Sequence, residues 1–371
     1  MYKTYASISL AALNHNLIQV RRYLASNCQM AAVVKANAYG HGAVDISRAL
    51  VQQGVSRLAV ASVSEGLALR QAGITADILV LAELFDEHIP ELLAHRLTPV
   101  ITDERLLSTL ANAAGAQNRS LPIHIKVDTG MGRLGFSPDD VIPLLETLLT
   151  MKSIHVEGVM THLADSDGPG TAHSEQQLDR FQEVLKNIGR RGLTIPYVHA
   201  ANSAAIVRFP QSHFSMVRPG IMLYGYHALP PNVPSPTLQP VLSLRTTVMQ
   251  VRTVKSGDSI SYNRTFFATR PTRVAVLPIG YADGYSRKLS NNGVVLLQNR
   301  RAPIVGTVCM DMTMVDVTDL GPVKVGDEAV LIGAQGQEVI GADEVAGWAG
   351  TISYEVLCAI GPRVPRVYHL A

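Results

Sequence analysis

The chain has 371 residues, enough for two domains of ordinary size, and 47% of them are hydrophobic, so it can bury two substantial cores. Its formal net charge of +2 gives no electrostatic reason to expect nucleic acid or an anionic membrane as a partner. No stretch reaches the roughly 20 apolar residues that a membrane span needs, no signal-peptide pattern is visible, and the scattered cysteines favour a reducing compartment. We therefore expect a cytoplasmic protein.

The first part of the chain alternates apolar runs with amphipathic helical patterns. The apolar runs are Met30–Ala36, Arg57–Ser62, Asp77–Ala82, Leu97–Ile101, Leu121–Asp128, Ile154–His162, Ile195–Asn202 and Met216–Leu223. The helical patterns are Asp45–Gln53, Ser64–Ala72, Glu87–His95, Glu104–Ala114, Pro138–Met151 and Ser174–Arg191. Continuous apolar strands suit a parallel sheet that is covered on both faces. Eight strand–helix units predict a (β/α)8 barrel, a TIM-like α/β fold, over residues 1–230. An open, doubly wound sheet is the alternative.

The pattern changes after Gly225. Residues 227–240 (HALPPNVPSPTLQP) are rich in proline, which stiffens a chain and withholds backbone donors, so they are typical of a linker. Turn signals then separate the strand-like runs Leu242–Val254, Arg273–Pro278, Gly293–Leu297, Ala302–Cys309, Thr313–Val317 and Glu328–Ile332. These runs predict a mainly β C-terminal domain over residues 231–371, with a short helix around Asp343–Gly350.

Lys35 lies within the first apolar run, at the carboxyl end of the first predicted barrel strand. Barrel enzymes form their active sites at that end. Desolvation there would lower the pKa of a lysine amine and favour the neutral form that a Schiff base requires. The alternative is a lysine whose stem lies on apolar surface while its ammonium group reaches water.

An ordered set of short motifs runs from Lys35 to the carboxyl terminus. The motifs are Ala32–Gly42 (AVVKANAYGHG), Lys126–Gly135 (KVDTGMGRLG), Thr161–Asp165 (THLAD), His199–Ala204 (HAANSA), Val217–Gly225 (VRPGIMLYG), Ser261–Phe266 (SYNRTF), Gly280–Tyr285 (GYADGY), Val308–Met312 (VCMDM) and Ile352–Val356 (ISYEV). Any one of them would be weak evidence, but together they cover essentially the whole chain. In this order they resemble the alanine racemases, which are fold-type III pyridoxal-phosphate enzymes.

The resemblance implies that pyridoxal 5'-phosphate is the cofactor and that Lys35 binds it covalently. The other cofactor-binding residues that it implies are Tyr39, His162, Asn202, Ser203, Arg218, Gly220, Ile221 and Tyr354. Strand counting gives independent support, because Ser203, Gly220 and Ile221 follow the seventh and eighth predicted strands, where barrels often bind phosphate. A helix N-cap is the alternative role for Ser203.

Arg218 matches the residue that the family places against the pyridine nitrogen. A guanidinium group can only donate hydrogen bonds, so a nitrogen that faces it stays unprotonated and the ring withdraws electrons less strongly. The resemblance also implies that His162 lines the ring and that His199 buttresses Arg218. Taken singly, each histidine is equally consistent with a hydrogen-bonded core residue.

The resemblance implies two opposed acid/base groups for interconverting L-alanine and D-alanine. Lys35 would act on the D-alanine side and Tyr262 on the L-alanine side. The remaining implied residues are Arg133 and Met310 for the substrate carboxylate, and Lys126, Arg287 and Asp311 as supporting groups. Relatives often carry a carbamylated lysine at the position of Lys126, whose added carboxylate would pair with Arg133.

In the family, the segments that carry Tyr262 and Met310 reach the lysine of a neighbouring subunit. The resemblance therefore implies a homodimer with shared active sites, with alanine as the small-molecule partner and with no metal. D-Alanine would either supply peptidoglycan precursor synthesis or be degraded.

Three other interpretations remain open at this stage. Gly130–Gly135 fits the GxGxxG pattern with Glu157 downstream, which is a feature of NAD-dependent dehydrogenases. A single-barrel pyridoxal-phosphate-binding protein is a second alternative, although the long second domain argues against it. A racemase of broader specificity, acting on serine or other amino acids, is the third.

Overall fold

A computed structural model describes residues 3–370 of the chain. Its first nine strands are β1 (Tyr5–Ser9), β2 (Gln29–Val33), β3 (Arg57–Ser62), β4 (Asp77–Glu83), β5 (Thr98–Ile101), β6 (Leu121–Lys126), β7 (Ile154–Met160), β8 (Tyr197–His199) and β9 (Met216–Val217). Strands β2 to β9 form one parallel sheet in the order β8-β7-β6-β5-β4-β3-β2-β9. The Ser215 N–H donates to the Val198 carbonyl and the Arg218 N–H to the Ala201 carbonyl, so the ends of this sheet also meet. The predicted (β/α)8 barrel is confirmed, and the open sheet is wrong.

Helices cover the outside of the barrel. They are Leu10–Arg21, Ala43–Gln52, Val63–Gln71, Ile89–Ala94, Leu107–Ala116, Val141–Leu149, Ala172–Arg190 and Ser203–Arg208. The longest of them, Ala172–Arg190, shows why they form: it buries Leu178, Phe181, Val184 and Ile188, which recur at helical spacing along one face. Among the described residues, no helix combines the length and the hydrophobicity that crossing a membrane requires.

The second half of the chain is mainly β, as the sequence predicts. Its strands are β10 (Leu242–Thr247), β11 (Gln250–Val254), β12 (Ser259–Ile260), β13 (Phe266–Phe267), β14 (Thr272–Leu277), β15 (Val294–Leu297), β16 (Arg300–Pro303), β17 (Thr313–Asp316), β18 (Glu328–Gln335), β19 (Glu338–Ile340) and β20 (Arg366–His369). Its helices are Ala342–Ala349 and Ser353–Ala359. The single run predicted over Leu242–Val254 is two strands, because β10 and β11 belong to different sheets.

The amino terminus takes part in the second sheet. Strand β1 pairs antiparallel with β10 and parallel with β20, in a sheet ordered β16-β15-β18-β10-β1-β20. Sequence analysis missed β1 because its five residues precede the first strong apolar run. The two halves of the chain are therefore joined by strand pairing as well as by the connecting segment.

The proline-rich segment has no helix or long strand among its described residues, but its end is firmly held. The buried Asn16 amide donates to the carbonyls of Leu223 (3.1 Å) and Gln239 (2.7 Å). Its oxygen accepts the Gln239 N–H at 2.8 Å. One side chain thus fixes the exit from the barrel to the entry into the second domain.

The GxGxxG stretch folds around a carboxylate of its own chain. Asp128 Oδ1 accepts the N–H groups of Gly130 (2.9 Å), Met131 (2.8 Å) and Gly132 (3.1 Å), and Oδ2 accepts that of Arg133 (3.1 Å). The three glycines have φ values of +138°, +67° and +125°, which side chains would resist. Because Asp128 occupies the N–H groups that a pyrophosphate would need, the dinucleotide-binding interpretation is wrong.

We expect Asp128→Asn to loosen this loop. Burial pushes the pKa of Asp128 up, but the four backbone hydrogen bonds outweigh it and leave the pKa lowered. The carboxylate therefore orders the loop above its unfolded pKa, and this order is lost as the pH falls through the folded pKa. Amide hydrogen exchange at residues 130–133 should accelerate about tenfold or more at neutral pH, the effect of losing roughly 1.4 kcal/mol of hydrogen bonding.

The control for this variant is Asp139→Asn, which changes an exposed carboxylate in the turn after the loop. It should leave the exchange rates unchanged. Equal rates in wild type and Asp128→Asn would contradict the assigned role of the carboxylate.

Candidate active site

A cavity of about 730 Å³ opens at the carboxyl ends of the barrel strands. It gathers many of the residues that the sequence singles out: Lys35, Tyr39, Lys126, Arg133, His162, Asn202, Ser203, Arg218, Gly220, Ile221 and Tyr354. These residues come from loops far apart in sequence that the barrel brings to one end, as expected for an enzyme of this fold.

Lys35 begins an unusual turn. Residues Ala36, Asn37, Ala38 and Tyr39 all have φ between +51° and +53°, so they form one turn of left-handed helix. Each such residue costs about 1–2 kcal/mol relative to the right-handed form, and strain of this kind is typical of functional sites. The turn carries the chain away from β2 while Lys35 stays at the mouth of the barrel.

Several hydrogen bonds hold the strained turn. The Glu65 carboxylate accepts the N–H groups of Ala36 (2.6 Å) and Ala61 (2.7 Å), and so fixes the ends of two neighbouring strands. The Asn37 side chain accepts the Ala43 N–H at 2.9 Å and so caps the next helix. Sequence analysis missed Glu65, whose position in an ordinary helical pattern gives no sign of this contact.

Positive charge dominates the cavity. Burial, followed by the charge of Arg133, lowers the pKa of Lys35 and favours its neutral amine. The same two causes lower the pKa of Lys126 to about 8. Arg218 also lines the cavity, which is therefore suited to an anionic ligand.

Arg218 is a buried cation, 3% exposed, on the floor of the cavity. Its Nη2 donates to the carbonyls of Thr161 (2.8 Å) and Ala200 (2.9 Å) and lies 3.3 Å from His162 Nδ1. Its Nη1 donates to His199 Nδ1 at 2.8 Å. Burial lowers the pKa of Arg218 to about 9, and no carboxylate among the described residues compensates its charge. A buried guanidinium without an acidic partner has donors to spare for a ligand.

Asn202, Ser203 and Gly220 form a second polar corner of the cavity. Asn202 is the N-cap of helix Ser203–Arg208, because its side chain accepts the Ala205 N–H at 3.0 Å. The N-cap role considered for Ser203 therefore belongs to its neighbour. Ser203 Oγ instead accepts the N–H of Gly220 at 2.9 Å. A helix start, a hydroxyl group and a glycine backbone together make a favourable place for a phosphate.

Two tyrosines line the wall beside this corner. The Tyr39 ring lies 6.0 Å from that of Tyr354 and 4.9 Å from that of the buried Tyr224, whose hydroxyl donates to the Val33 carbonyl at 2.8 Å. Burial raises the pKa of both Tyr39 and Tyr354, so each keeps its hydroxyl proton. A Cβ on Gly220 would lie 2.5 Å from the Tyr39 hydroxyl, so the glycine is what lets this hydroxyl approach the backbone.

The remaining predicted residues lie outside this cavity in the single chain. Tyr262 (67% exposed) and Met310 (53% exposed) project from the second domain. Tyr262 borders a separate groove of about 940 Å³. Arg287 lines another cavity, of about 340 Å³, and makes no hydrogen bond to Tyr262 within the described residues. Asp311 pairs with Arg363 at 2.8 Å.

Residues 3–370 contain no cluster of three or more histidine, cysteine, aspartate or glutamate side chains arranged to hold a metal ion. The polar side chains that line the cavity are mostly cationic or neutral: two amines, two guanidinium groups, hydroxyls, an imidazole and an amide, with the carboxylate of Asp167 beside them. They are suited to a phosphorylated organic ligand.

Comparison with known proteins agrees with this geometry. Residues 8–228 match the family model "Alanine racemase, N-terminal domain", and residues 241–368 match "Alanine racemase, C-terminal domain". A protein named alanine racemase from Halothermothrix orenii is 43% identical over 98% of this chain and 96% of its own length. One from Carboxydothermus hydrogenoformans is 44% identical over 99% of this chain and 100% of its own. The structure of alanine racemase from Clostridium difficile 630 superposes with a TM-score of 0.95 at 34% identity, covering 100% of this chain and 96% of that one. The chain belongs to the alanine racemase family.

Proposed function

We propose that the protein interconverts L-alanine and D-alanine, with pyridoxal 5'-phosphate held in the barrel cavity. The observation that carries the proposal is that two groups line the same cavity. One is a desolvated amine, Lys35, and the other is a buried guanidinium without a carboxylate partner, Arg218. Membership of the alanine racemase family supports the substrate.

The residues of the cavity fit this cofactor. Lys35 would bind it covalently, and Arg218, which lacks a carboxylate partner, offers donors to its ring nitrogen. Tyr39, Ser203, Gly220, Ile221 and Tyr354, with Asn202 as the helix cap, would surround its phosphate, and His162 would lie against its ring. When bound, pyridoxal phosphate withdraws electrons from the substrate Cα and so makes its proton easier to remove.

Racemisation needs a proton removed from one face of Cα and returned to the other. Lys35, whose lowered pKa favours the neutral amine, would take and return the proton on the D-alanine side. Tyr262 would do the same on the L-alanine side. Arg218, which only donates hydrogen bonds, keeps a facing nitrogen unprotonated, which weakens electron withdrawal and favours return of the proton over side reactions.

Arg133 and the Met310 backbone would hold the substrate carboxylate. Arg133 is well placed for this role, because Asp128 orders its loop and its side chain reaches the cavity. Lys126, with a pKa of about 8, has a substantial neutral fraction near neutral pH, the form that carbamylation requires. A carbamate there would place a negative charge beside Arg133 and hold the guanidinium in position.

Tyr262 and Met310 can act at Lys35 only if a second chain brings them there. Both are exposed in the single chain and lie outside the cavity of Lys35. We therefore include in the proposal a homodimer in which each active site takes Lys35 from one subunit and Tyr262, Met310, Arg287 and Asp311 from the other. The three free cysteines support a reducing, cytoplasmic location.

Replacing either proposed base should greatly slow racemisation while leaving the fold intact. We expect Lys35→Ala and Tyr262→Phe each to lower kcat by about 100-fold or more, the usual contribution of an acid/base group. Tyr262→Phe should still exchange the Cα proton of D-alanine with solvent but not that of L-alanine. Circular dichroism for the optical change and mass spectrometry in D₂O for the exchange measure these two effects.

The control is Tyr23→Phe, a change beside the first barrel helix that should leave both rates unaltered. Normal exchange from both enantiomers in Tyr262→Phe would refute the two-base assignment. The same assay on a panel of amino acids tests specificity, and a kcat/KM for serine equal to that for alanine would favour the broader racemase.

Shared active sites predict complementation between two inactive variants. In a mixed dimer of Lys35→Ala and Tyr262→Phe chains, one site carries both changes and the other carries neither. A mixed dimer purified through two different affinity tags should therefore regain roughly half of the wild-type activity per dimer, as two-fold symmetry requires. If each site were built from one chain, the mixed dimer would stay inactive.

A further inference from the structure

A buried line of hydrogen bonds runs from Arg218 through the interior of the barrel. Arg218 Nη1 lies 2.8 Å from His199 Nδ1, and His199 Nε2 lies 2.7 Å from His124 Nδ1. His124 Nε2 lies 3.1 Å from Glu157 Oε2, and Glu157 Oε1 lies 3.1 Å from Arg57 Nη2. We call these five residues the imidazole chain.

The imidazole chain spans the length of the barrel. Arg218 lies at the carboxyl end of the strands, whereas Arg57 and Asp77 are the first residues of β3 and β4. Gly158 leaves space for the imidazole chain, because a Cβ at this position would lie 2.2 Å from His124 Nδ1. No other residue type at position 158 would let the His124 ring lie where it does.

Arg218 and Glu157 together determine which ring nitrogen of His199 and of His124 carries the proton. Arg218 can only donate, so His199 Nδ1 must be bare and its proton lies on Nε2. The Glu157 carboxylate can only accept, so His124 carries its proton on Nε2 and presents a bare Nδ1 to His199. Both ends require that the proton between the two rings belongs to His199. Donation therefore runs in one direction from Arg218 through His199 and His124 to Glu157, which also accepts from Arg57 on its other side.

Both imidazoles are neutral in this arrangement. Burial, and then the charge of Arg218, holds the pKa of His199 well below its usual range. Burial also lowers the pKa of His124, although the adjacent Glu157 opposes the shift. A second proton on either ring would put two donors face to face at one of the contacts.

We propose that Glu157 and His124 are positioning residues for Arg218. The Glu157 carboxylate sets the direction of hydrogen-bond donation along the imidazole chain. Through His124 it makes His199 present an unprotonated nitrogen to Arg218, and this nitrogen holds the guanidinium in place. The inference rests on the proposed function only in that Arg218 contacts the cofactor. The direction of donation along the imidazole chain depends only on protein groups and needs neither substrate nor cofactor.

Glu157→Gln is the most informative change because it keeps the shape and alters only the donor pattern. An amide that accepts from Arg57 presents its NH₂ group to His124 and reverses the required proton positions along the chain. His199 would then face Arg218 with a donor, which weakens that contact. In the opposite amide orientation the oxygen accepts from His124, so the proton positions in the imidazole chain stay the same. The NH₂ group then faces the Arg57 guanidinium, which is also a donor.

Asp77→Asn is the matched control. Asp77 also pairs with Arg57, at 3.1 Å, but among the described residues it makes no hydrogen bond or ion pair with His124 or His199. The two variants thus remove one carboxylate each from the same arginine, and only Glu157→Gln acts on the histidines.

The test is ¹⁵N nuclear magnetic resonance of the histidine rings in the full-length protein, with the signals assigned through His124→Asn and His199→Asn. Wild type and Asp77→Asn should show both rings protonated on Nε2 and bare on Nδ1. Glu157→Gln should shift one or both rings toward the Nδ1 proton or a mixture of tautomers. Its kcat for alanine should fall about 10- to 100-fold, the usual effect of losing a supporting contact, while Asp77→Asn stays within about twofold.

An Nδ1 proton on either ring in wild type would overturn the proposal without reference to any variant. Equal kcat values in Glu157→Gln and wild type, with reversed tautomers, would overturn the positioning role. The ring measurement needs neither substrate nor cofactor. If the predicted tautomers are present in a protein without racemase activity, the proposed function fails while the direction of the chain stands.

Discussion

The site depends on one physical condition: a lysine amine is held out of water at the mouth of a barrel. The sheet supplies the place, because the carboxyl ends of eight parallel strands meet there. The left-handed turn after Lys35 carries the polypeptide away from β2 and leaves Lys35 at the mouth of the barrel. The hydrogen bonds of Glu65 and Asn37 offset the conformational cost of this turn. Burial and the charges of Arg133 and Arg218 lower the pKa of this amine, and Lys126 adds to the positive charge that attracts an anion.

A second constraint concerns Arg218. A guanidinium in the protein interior is costly unless its hydrogen bonds are satisfied, and here carbonyls and an imidazole meet that need in place of a carboxylate. Substituting an acid for His199 would neutralise the arginine and reduce its attraction for a ligand. The imidazole chain avoids this neutralisation, because its carboxylate, Glu157, lies beyond two neutral rings from Arg218 and is paired with Arg57.

The barrel could be predicted from sequence because each strand is a continuous apolar run that periodicity detects. Strand β1 could not, since its pattern is short and its partners, β10 and β20, lie more than two hundred residues away. Lys35 and the other predicted residues that line its cavity could be named because their motifs are local. Glu65, Asp128, His124 and Glu157 were missed or misread, because their roles depend on which backbone or ring faces them after folding. Tyr262 lies outside the Lys35 cavity in the single chain, and the proposed homodimer would account for this placement.

The most direct test of the central claim locates the cofactor bond itself. The protein is incubated with pyridoxal phosphate, reduced with borohydride and digested, and its peptides are sequenced by mass spectrometry. The account predicts a phosphopyridoxyl group on Lys35 alone. An adduct on Lys126 or another lysine, with Lys35 unmodified, would contradict it.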